Sequence, residues 1–195
     1  ARWRHLLSLA ALGLASAPLA WTFVLRDYQK RRVWAFLSAS DHAQDASYQT
    51  LQSVIAIGSG GLLGRGFRQG TQGTLGFIPE RHTDFIFAVV CEDFGLCGGV
   101  LLLGLYAALL CALARIARET RDPEGRLIVS GVATITVFQV VVNVGMTLGV
   151  MPVTGLTLPL VSYGGSSLVA SMFGFGLAAS VARNRVLVFS GRAVR

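Results

Sequence analysis

Charged residues are scarce in this sequence of 195 residues. Only 14% are Asp, Glu, Lys or Arg, whereas 53% are hydrophobic and the mean hydropathy is +0.59. A soluble domain of this size needs more polar residues to cover its surface. The shortage of charge therefore excludes an ordinary soluble enzyme and predicts a membrane protein.

Four apolar runs contain no Lys, Arg, Asp or Glu at all. About 20 helical residues cross the hydrocarbon core of a bilayer, so each run is long enough to do so. The runs are Leu6 to Leu25, Leu96 to Ala114, Leu127 to Val150 and Leu160 to Val181. The predicted fold class is thus an all-α integral membrane protein with four transmembrane helices.

Arginine residues cluster at three places and give the predicted orientation. They are Arg2 and Arg4; Arg115, Arg118, Arg121 and Arg126; and Arg183, Arg185, Arg192 and Arg195. By the positive-inside rule these places are cytoplasmic. The predicted division is 6–25 transmembrane, 26–83 extracytoplasmic, 84–114 transmembrane, 115–126 cytoplasmic, 127–150 transmembrane, 151–159 extracytoplasmic, 160–181 transmembrane and 182–195 cytoplasmic.

The start of the chain has a second interpretation. Arg2 and Arg4, the apolar residues Leu6 to Leu14 and the small residues Ala15 to Ala17 also resemble a cleaved secretory signal. The orientation of the other three spans is the same either way. Because the chain does not begin with Met, we expect it to be a piece of a longer protein.

Cysteine and histidine are few and do not predict a metal site. Cys91, Cys97 and Cys111 lie in or beside the second span, and the three histidines are scattered elsewhere. Neither set has the spacing of metal ligands. The cysteines are interpreted as small apolar side chains within a helix.

The segment 26–83 is basic although it is predicted to lie outside. It holds seven Lys or Arg, which indicates an anionic ligand or a lipid headgroup nearby. Gln29 to Ala39 and Ser47 to Ile57 have the composition of helices in the membrane interface. In the second of these, Tyr48, Leu51 and Ile55 share one face.

Glycine is concentrated between Gly58 and Gly76, where eight of nineteen residues are Gly. No Gly-Lys-Ser, Gly-Lys-Thr or G-x-G-x-x-G pattern occurs, so a nucleotide-binding fold is not supported. The stretch also contains Arg65 and Arg68. Two interpretations stay open: a concave anion site made of backbone N–H groups, and a flexible hinge.

The segment "FIPERHTD", residues 77 to 84, places ionisable side chains directly before an apolar run. Thr83 or Asp84 stands where a helix that begins at Phe85 would have its cap. A helix from Phe85 to Ala114 would be about 45 Å long, which exceeds the bilayer core, so its first turns protrude or line a wet cavity. The alternative to capping is therefore a reaction of Asp84 with a lipid-anchored anionic substrate.

The third span carries polar residues at helical spacing: Thr136, Gln139, Asn143 and Thr147. Such a stripe should face other helices, either as packing contacts alone or as part of a polar cavity. The pairs Gly95 with Gly99 and Gly145 with Gly149 permit close packing. The segment from 149 to 168 includes Ser162, Tyr163 and Gly164, and irregular backbone there must be buried in protein or line a cavity.

Three motifs in order, "IGSGGLLGRGFRQGTQ", "FIPERHTDFIFAVVCEDFG" and "NVGMTLGVMPVTGLTLPLVSYGGSSL", resemble the SEDS proteins (shape, elongation, division and sporulation). Thr71-Gln72 followed by Pro-Glu-Arg-His-Thr-Asp resembles the RodA branch more than the FtsW branch. The resemblance covers about Arg26 to Arg185. SEDS proteins have ten transmembrane helices, so it implies that this chain corresponds to the last four.

The resemblance also implies an activity. SEDS proteins are peptidoglycan glycosyltransferases of the bacterial inner membrane that polymerise lipid II beside a class B penicillin-binding protein. The essential acidic residue of the family lies in a His-Thr-Asp motif, which matches His82, Thr83 and Asp84. Asp84 is then the general base of an inverting transfer on the extracytoplasmic side. A divalent cation, magnesium or manganese, is the cofactor that the family suggests.

The candidate substrate-binding residues include the basic side chains that would face the departing pyrophosphate. The full set is Arg65, Arg68, Glu80, Arg81, His82, Thr83, Gln139, Asn143, Ser162, Tyr163 and Gly164. Membrane lipids are expected partners and nucleic acid is not. Two other functions remain open, a flippase or transporter for the lipid-linked precursor and a scaffold that recruits the penicillin-binding protein.

Overall fold

The computed structural model describes two main parts of the chain. The described residues are 3, 7–8, 11–13, 15–16, 22–23, 44–67, 69 and 83–190, with side chains in the main parts from 48 to 67, at 69 and from 83 to 183. The predicted first span and the predicted interfacial helix from 29 to 39 fall mostly or wholly outside them. The chain divides into two compact units, Ala1–Tyr48 and Gln49–Arg195, and the contacts below belong to the second.

Four helices and no strand occur among the described ranges 44–67 and 83–190. They are α1 (Gln44–Gly60), α2 (Ile86–Glu119), α3 (Pro123–Thr147) and α4 (Gly165–Ser190). Three stretches are long and apolar enough to cross a membrane: Ile86–Glu119, Pro123–Thr147 and Gly165–Arg183. The all-helical prediction is therefore confirmed for this part of the chain.

A short turn joins α2 to α3. Only Thr120 to Asp122 are non-helical, whereas the sequence predicted a loop from 115 to 126. The side chain of Asp122 caps α3 by accepting the N–H of Gly125 at 2.8 Å, and Pro123 occupies the first helical turn. Both helices thus extend beyond the apolar runs. The sequence did not predict this, because hydropathy shows where a chain is apolar and not where its helical backbone ends.

The core consists of three clusters along α2 and α3. One contains Leu113, Val129 and Ala178, and the next contains Tyr106, Val140 and Leu158. Residues late in α2 thus meet residues early in α3, so the two helices are antiparallel. The third cluster, Ala56, Phe85 and Ala88, joins α1 to the beginning of α2.

Helix α3 ends at a left-handed glycine. Gly149 has φ of 74°, its N–H donates to the carbonyl of Met146, and the N–H of Val150 donates to the carbonyl of Gly145. These two bonds define a Schellman motif, which satisfies carbonyl groups that a helix end leaves unpaired. Gly149 is therefore a helix terminator, and a Cβ atom there would lie 3.3 Å from Thr50 and 3.7 Å from Val54 of α1.

The segment from 148 to 164 is irregular and partly buried. Leu158 is 1% exposed, and the hydroxyl of Tyr106 donates to the carbonyl of Pro159. Helix α4 begins at Gly165 instead of the predicted Leu160, because Leu160 has φ of 66° and the N–H of Ser162 donates to Leu158 in a turn. Leu158, Pro159 and Ser162 are buried within the protein, which agrees with the expectation from the sequence for this part of the segment.

Helix α1 contains the predicted helix from Ser47 to Ile57. Its buried face consists of small residues, Ser53, Ala56 and Gly60. The apolar side chains of Leu51, Val54 and Ile55 are exposed instead. The helix therefore packs on the protein through its small residues and leaves an apolar face outward.

Candidate functional site

Asp84 lies in a turn formed by residues 83 to 85, immediately before α2. The N-cap residue of α2 is Phe85, and no side chain makes a capping hydrogen bond there. The alternative in which Thr83 or Asp84 caps a helix that begins at Phe85 is therefore wrong. The backbone carbonyl of Phe85 accepts the N–H groups of Ala88 and Val89 instead.

Phe85 anchors this turn. Its side chain is 0% exposed and packs with Ala56 of α1 and Ala88 of α2, against which Ile57 and Val153 also lie. Full burial of a phenylalanine contributes on the order of 1.5–3 kcal/mol relative to exposure. Asp84, by contrast, is partly exposed. A partly exposed aspartate thus stands on an anchored backbone.

Two side chains from elsewhere in the chain hold the carbonyl groups of the turn. Asn143 of α3 donates from Nδ2 to the carbonyl of Asp84 at 2.9 Å and to that of Leu156 at 2.7 Å. Ser162 donates from Oγ to the carbonyl of Thr83 at 2.6 Å. The hydroxyl of Ser162 also accepts the N–H of Leu158 at 2.7 Å. Four candidate residues from the sequence therefore meet here: Thr83, Asp84, Asn143 and Ser162.

The carboxylate of Asp84 faces a glycine that the sequence analysis did not select. A Cβ atom on Gly155 would lie 3.4 Å from Oδ2 of Asp84, and Gly155 has φ of 74°. The left-handed backbone favours glycine, and the missing side chain leaves space beside the carboxylate. Nothing in the local pattern distinguishes Gly155 from an ordinary loop glycine.

The other candidate residues are more dispersed or lie outside the described residues. Gln139 is half-buried on α3, and Tyr163 is 80% exposed. The carbonyl of Gly164 accepts the N–H of Leu168 in the first turn of α4. Outside the described residues are Arg68, Glu80, Arg81 and His82.

The polar stripe of α3 faces inward as predicted. Asn143 and Thr147 are 0% exposed and Thr136 is 4% exposed. The carbonyl of Thr147 accepts the hydroxyl of Ser53 at 2.7 Å, which attaches α1 to the end of α3. The stripe therefore connects α3 to α1 and to the Asp84 turn.

Helix α2 is kinked at Gly95, whose φ of 70° and ψ of −166° are not helical. At the kink, Leu96 and Cys97 donate to the carbonyls of Gly61 and Leu62. The carbonyls of Glu92 and Asp93, which those N–H groups would bind in a regular helix, accept from Arg65 and Gly66. The segment from Gly60 to Gly66, here called the glycine loop, thus replaces the hydrogen bonds that the kink removes.

Three glycines make this backbone contact sterically feasible. A Cβ atom would lie 2.0 Å from the Cys91 carbonyl oxygen at Gly60, 2.1 Å from that of Asp93 at Gly64, and 2.4 Å from the Gly64 nitrogen at Gly95. The N–H groups of residues 64 to 66 all donate to backbone carbonyls. The prediction that such groups form an anion cradle is therefore wrong for these three residues.

The side chain of Arg65 lies beside the end of α1. It is exposed, and its Nε–H donates to the carbonyl of Ser59 at 3.1 Å. A cation at this position is favourable, because the last carbonyls of a helix carry partial negative charge. Glu92 and Asp93, in the part of α2 that holds the glycine loop, are buried.

The described residues do not assemble a metal site. Among them, no three His, Cys, Asp or Glu side chains come close enough together to hold an ion. The divalent cation that the resemblance suggests stays a prediction, because the candidate donors Glu80 and His82 lie outside the described residues.

Comparison with known proteins identifies the family. Residues 1–186 match the family model for FtsW, RodA and SpoVE, which is described as a cell cycle protein. The chain belongs to the FtsW/RodA/SpoVE family. The predicted SEDS resemblance is thereby confirmed, and with three helices able to span a bilayer the chain is a multi-pass membrane protein.

Members of the FtsW/RodA/SpoVE family with curated names or solved structures support the RodA branch. The chain is 45% identical to the peptidoglycan glycosyltransferase MrdB of Escherichia coli K12, over 95% of this chain and 50% of MrdB. It is 48% identical to an aspartate-to-alanine variant of Thermus thermophilus RodA, with a TM-score of 0.53 over 68% of this chain and 40% of that one.

A third match comes from a peptidoglycan synthase complex described as coordinating polymerization and crosslinking. It shows 44% identity and a TM-score of 0.72, over 94% of this chain and 50% of that one. The chain thus spans about half the length of the relatives that it matches.

Proposed function

We propose that this protein is a peptidoglycan glycosyltransferase that polymerises lipid II into glycan strands during cell-wall elongation. The observation that carries the proposal is the Asp84 turn, where a partly exposed aspartate stands on backbone that Phe85, Asn143 and Ser162 hold in place. The family membership and the name of MrdB support the same activity.

Asp84 serves as the general base in this proposal. The 4-hydroxyl oxygen of the acceptor sugar attacks the anomeric carbon of the donor, and the bond from that carbon to the lipid pyrophosphate breaks. The hydroxyl proton passes to the carboxylate of Asp84, and a single displacement inverts the α linkage to β. A positioned base contributes typically 10²–10⁴-fold to the rate of such a step.

Positive charge near the pyrophosphate would stabilise the leaving group. Arg65, Arg68 and Arg81 are the proposed sources of this charge. Arg65 is exposed at the glycine loop, which makes it accessible to a ligand on that side of α2. No step of the proposed reaction involves a divalent cation.

The proposed setting is the extracytoplasmic side of the bacterial inner membrane. The residues from 6 to 25 would provide a fourth transmembrane helix, and the segment 26–83 would form an outer loop with short interfacial helices. The exposed apolar face of α1 supports such an interfacial position. The proposed partner is a class B penicillin-binding protein, which would crosslink the glycan.

The experiment is a gel assay of lipid II polymerisation by the full-length protein, purified with its penicillin-binding protein. We expect the wild type to form polymer and Asp84→Asn to form none, with the partner retained. Asp122→Asn is the matched control, because asparagine also caps a helix and the change is made at the other end of α2.

Two results would contradict the proposal. Transport of lipid II without polymer would favour a flippase. Polymer formation by Asp84→Asn at the wild-type rate would show that the base is another group.

A further inference from the structure

We propose that Asn143 and Ser162 are positioning residues, which orient the carboxylate of Asp84 by fixing the two peptide groups on either side of its α-carbon. This inference rests on the proposed function, in which Asp84 is the base. It assigns to Asn143 and Ser162 a role other than contact with substrate.

The two hydrogen-bonded carbonyls have a specific relation to Asp84. The Thr83 carbonyl belongs to the peptide group before the Asp84 α-carbon, and the Asp84 carbonyl belongs to the one after it. Each peptide group is planar, so a bond to its oxygen restrains the orientation of the whole plane. Ser162 restrains the first plane and Asn143 the second. Together they restrain φ and ψ of Asp84 and hence the direction of its side chain.

Asn143 is suited to holding backbone and unsuited to binding a ligand. It is 0% exposed, and its amide nitrogen donates to two carbonyl oxygens, those of Asp84 and Leu156. Because both partners are acceptors, the amide nitrogen must face them, and it has two N–H groups to give. An incoming sugar would find these donors occupied and covered by protein.

The oxygen of the Asn143 amide indicates the same role. Within the described part of the chain, Oδ1 is buried and has no hydrogen-bond partner. A buried acceptor without a partner lowers stability, so leucine of similar size would suit the site better if packing alone mattered. The two N–H groups are therefore the property that this position requires.

The side chain of Ser162 also binds backbone groups. It is 9% exposed, its hydroxyl hydrogen goes to the Thr83 carbonyl, and its oxygen accepts the N–H of Leu158. The residue thus connects the turn before α4 directly to the turn before α2. Since Asn143 also binds the carbonyl of Leu156, both residues attach the Asp84 turn to the irregular segment from 148 to 164.

The test measures kcat and KM for lipid II in the full-length protein with its penicillin-binding protein. The variants are Asn143→Leu, Ser162→Ala and Ser162→Thr. Controls are Thr136→Val, a buried polar residue of α3 that bonds only within its own helix, and Ser130→Ala, an exposed serine with a bond of the same kind.

We expect kcat to fall about 10- to 100-fold in Asn143→Leu and Ser162→Ala, because displacement of a catalytic group by about 1 Å can lower the rate by about 100-fold. KM should stay within about twofold of the wild type. Ser162→Thr retains a hydroxyl and should recover most of the kcat, and both controls should leave kcat unchanged.

Three results would overturn the inference while the proposed function stands. The first is a rise in KM at constant kcat, which indicates substrate contact. The second is unchanged kinetics in both Asn143→Leu and Ser162→Ala. The third is failure of Ser162→Thr to recover kcat although it elutes with its partner as a single species. A wild-type complex that forms no polymer would overturn the proposed function itself.

Discussion

Gly64 lies so close to the backbone of Asp93 that a methyl group on its α-carbon would be 2.1 Å from the Asp93 carbonyl oxygen. The contact holds the glycine loop against the kink of α2. Four backbone groups of α2 that would otherwise bond to each other bond to the loop instead. The loop and the kink at Gly95 therefore depend on each other.

The first prediction concerns this contact. Gly64→Ala should destabilise the full-length protein by about 2 kcal/mol or more, because alanine is strained at φ of 82° and its methyl group overlaps backbone. The measurement is the thermal unfolding midpoint in detergent, which should fall clearly below that of the wild type.

Gly58→Ala is the control for Gly64→Ala. Gly58 lies within α1, and a Cβ atom there would meet nothing within 4 Å. Alanine in a helix should stabilise by about 0.5–1 kcal/mol. Equal midpoints for the two variants would show that the glycine loop does not lie against α2 as described.

The role of these glycines could not be read from the sequence. Composition allowed an anion site or a hinge, because both need glycine. Backbone-to-backbone pairing between residues 61–66 and 92–97 leaves no pattern of side chains, since the partners are N–H and carbonyl groups that every residue has. The kink at Gly95 was hidden for the same reason, within a run that otherwise has the composition of one continuous helix.

The second prediction concerns Gly155. Gly155→Ala should lower the rate of lipid II polymerisation, because alanine is strained at φ of 74° and its methyl group would fill the space beside the Asp84 carboxylate, 3.4 Å from Oδ2. We expect a reduction of about tenfold or more, on the scale that misplacement of a catalytic group produces. Gly131→Ala, at a helical position with nothing within 4 Å, should keep the wild-type rate. An unchanged polymerisation rate in Gly155→Ala would show that the space between Gly155 and the Asp84 carboxylate is not needed for the reaction.

The third prediction concerns the attachment of α1 to α3. Ser53→Ala removes the bond to the Thr147 carbonyl and leaves a buried acceptor unpaired, which should cost about 1–3 kcal/mol of stability. Ser59→Ala is the control, because that hydroxyl bonds only to Ala56 in its own helix. Thermal unfolding of both variants in the same detergent is the measurement. A midpoint for Ser53→Ala at or above that of Ser59→Ala would contradict the described contact.

The fourth prediction concerns the irregular segment that carries Gly155 and Leu156. Tyr106→Phe removes the hydroxyl that donates to the Pro159 carbonyl while keeping the ring in the core. We expect a stability loss of about 1–2 kcal/mol. The thermal midpoint checks this, and a midpoint equal to that of the wild type would show that the bond contributes nothing.

Periodicity predicted the inward polar stripe of α3 correctly, because one face of a helix recurs every 3.6 residues. It could not predict what each member contacts. Asn143 was selected as a substrate ligand, yet its amide bonds to carbonyls of residues 84 and 156, which only the folded chain brings to it. The catalytic role of Asp84 was predicted from the resemblance of residues 82–84 to a family motif. The hydrogen bonds of Asn143 and Ser162 to the backbone around Asp84 are seen only in the structure.

The central claim is that Asp84 acts on the proton of the acceptor hydroxyl and does not hold the substrate. The direct test compares lipid II binding and turnover of Asp84→Asn in one preparation of the full-length protein with its penicillin-binding protein. We predict binding within about twofold of the wild type and turnover reduced by about 10²-fold or more. Turnover within a few-fold of the wild type, or loss of lipid II binding in step with turnover, would contradict the assignment of Asp84 as the base.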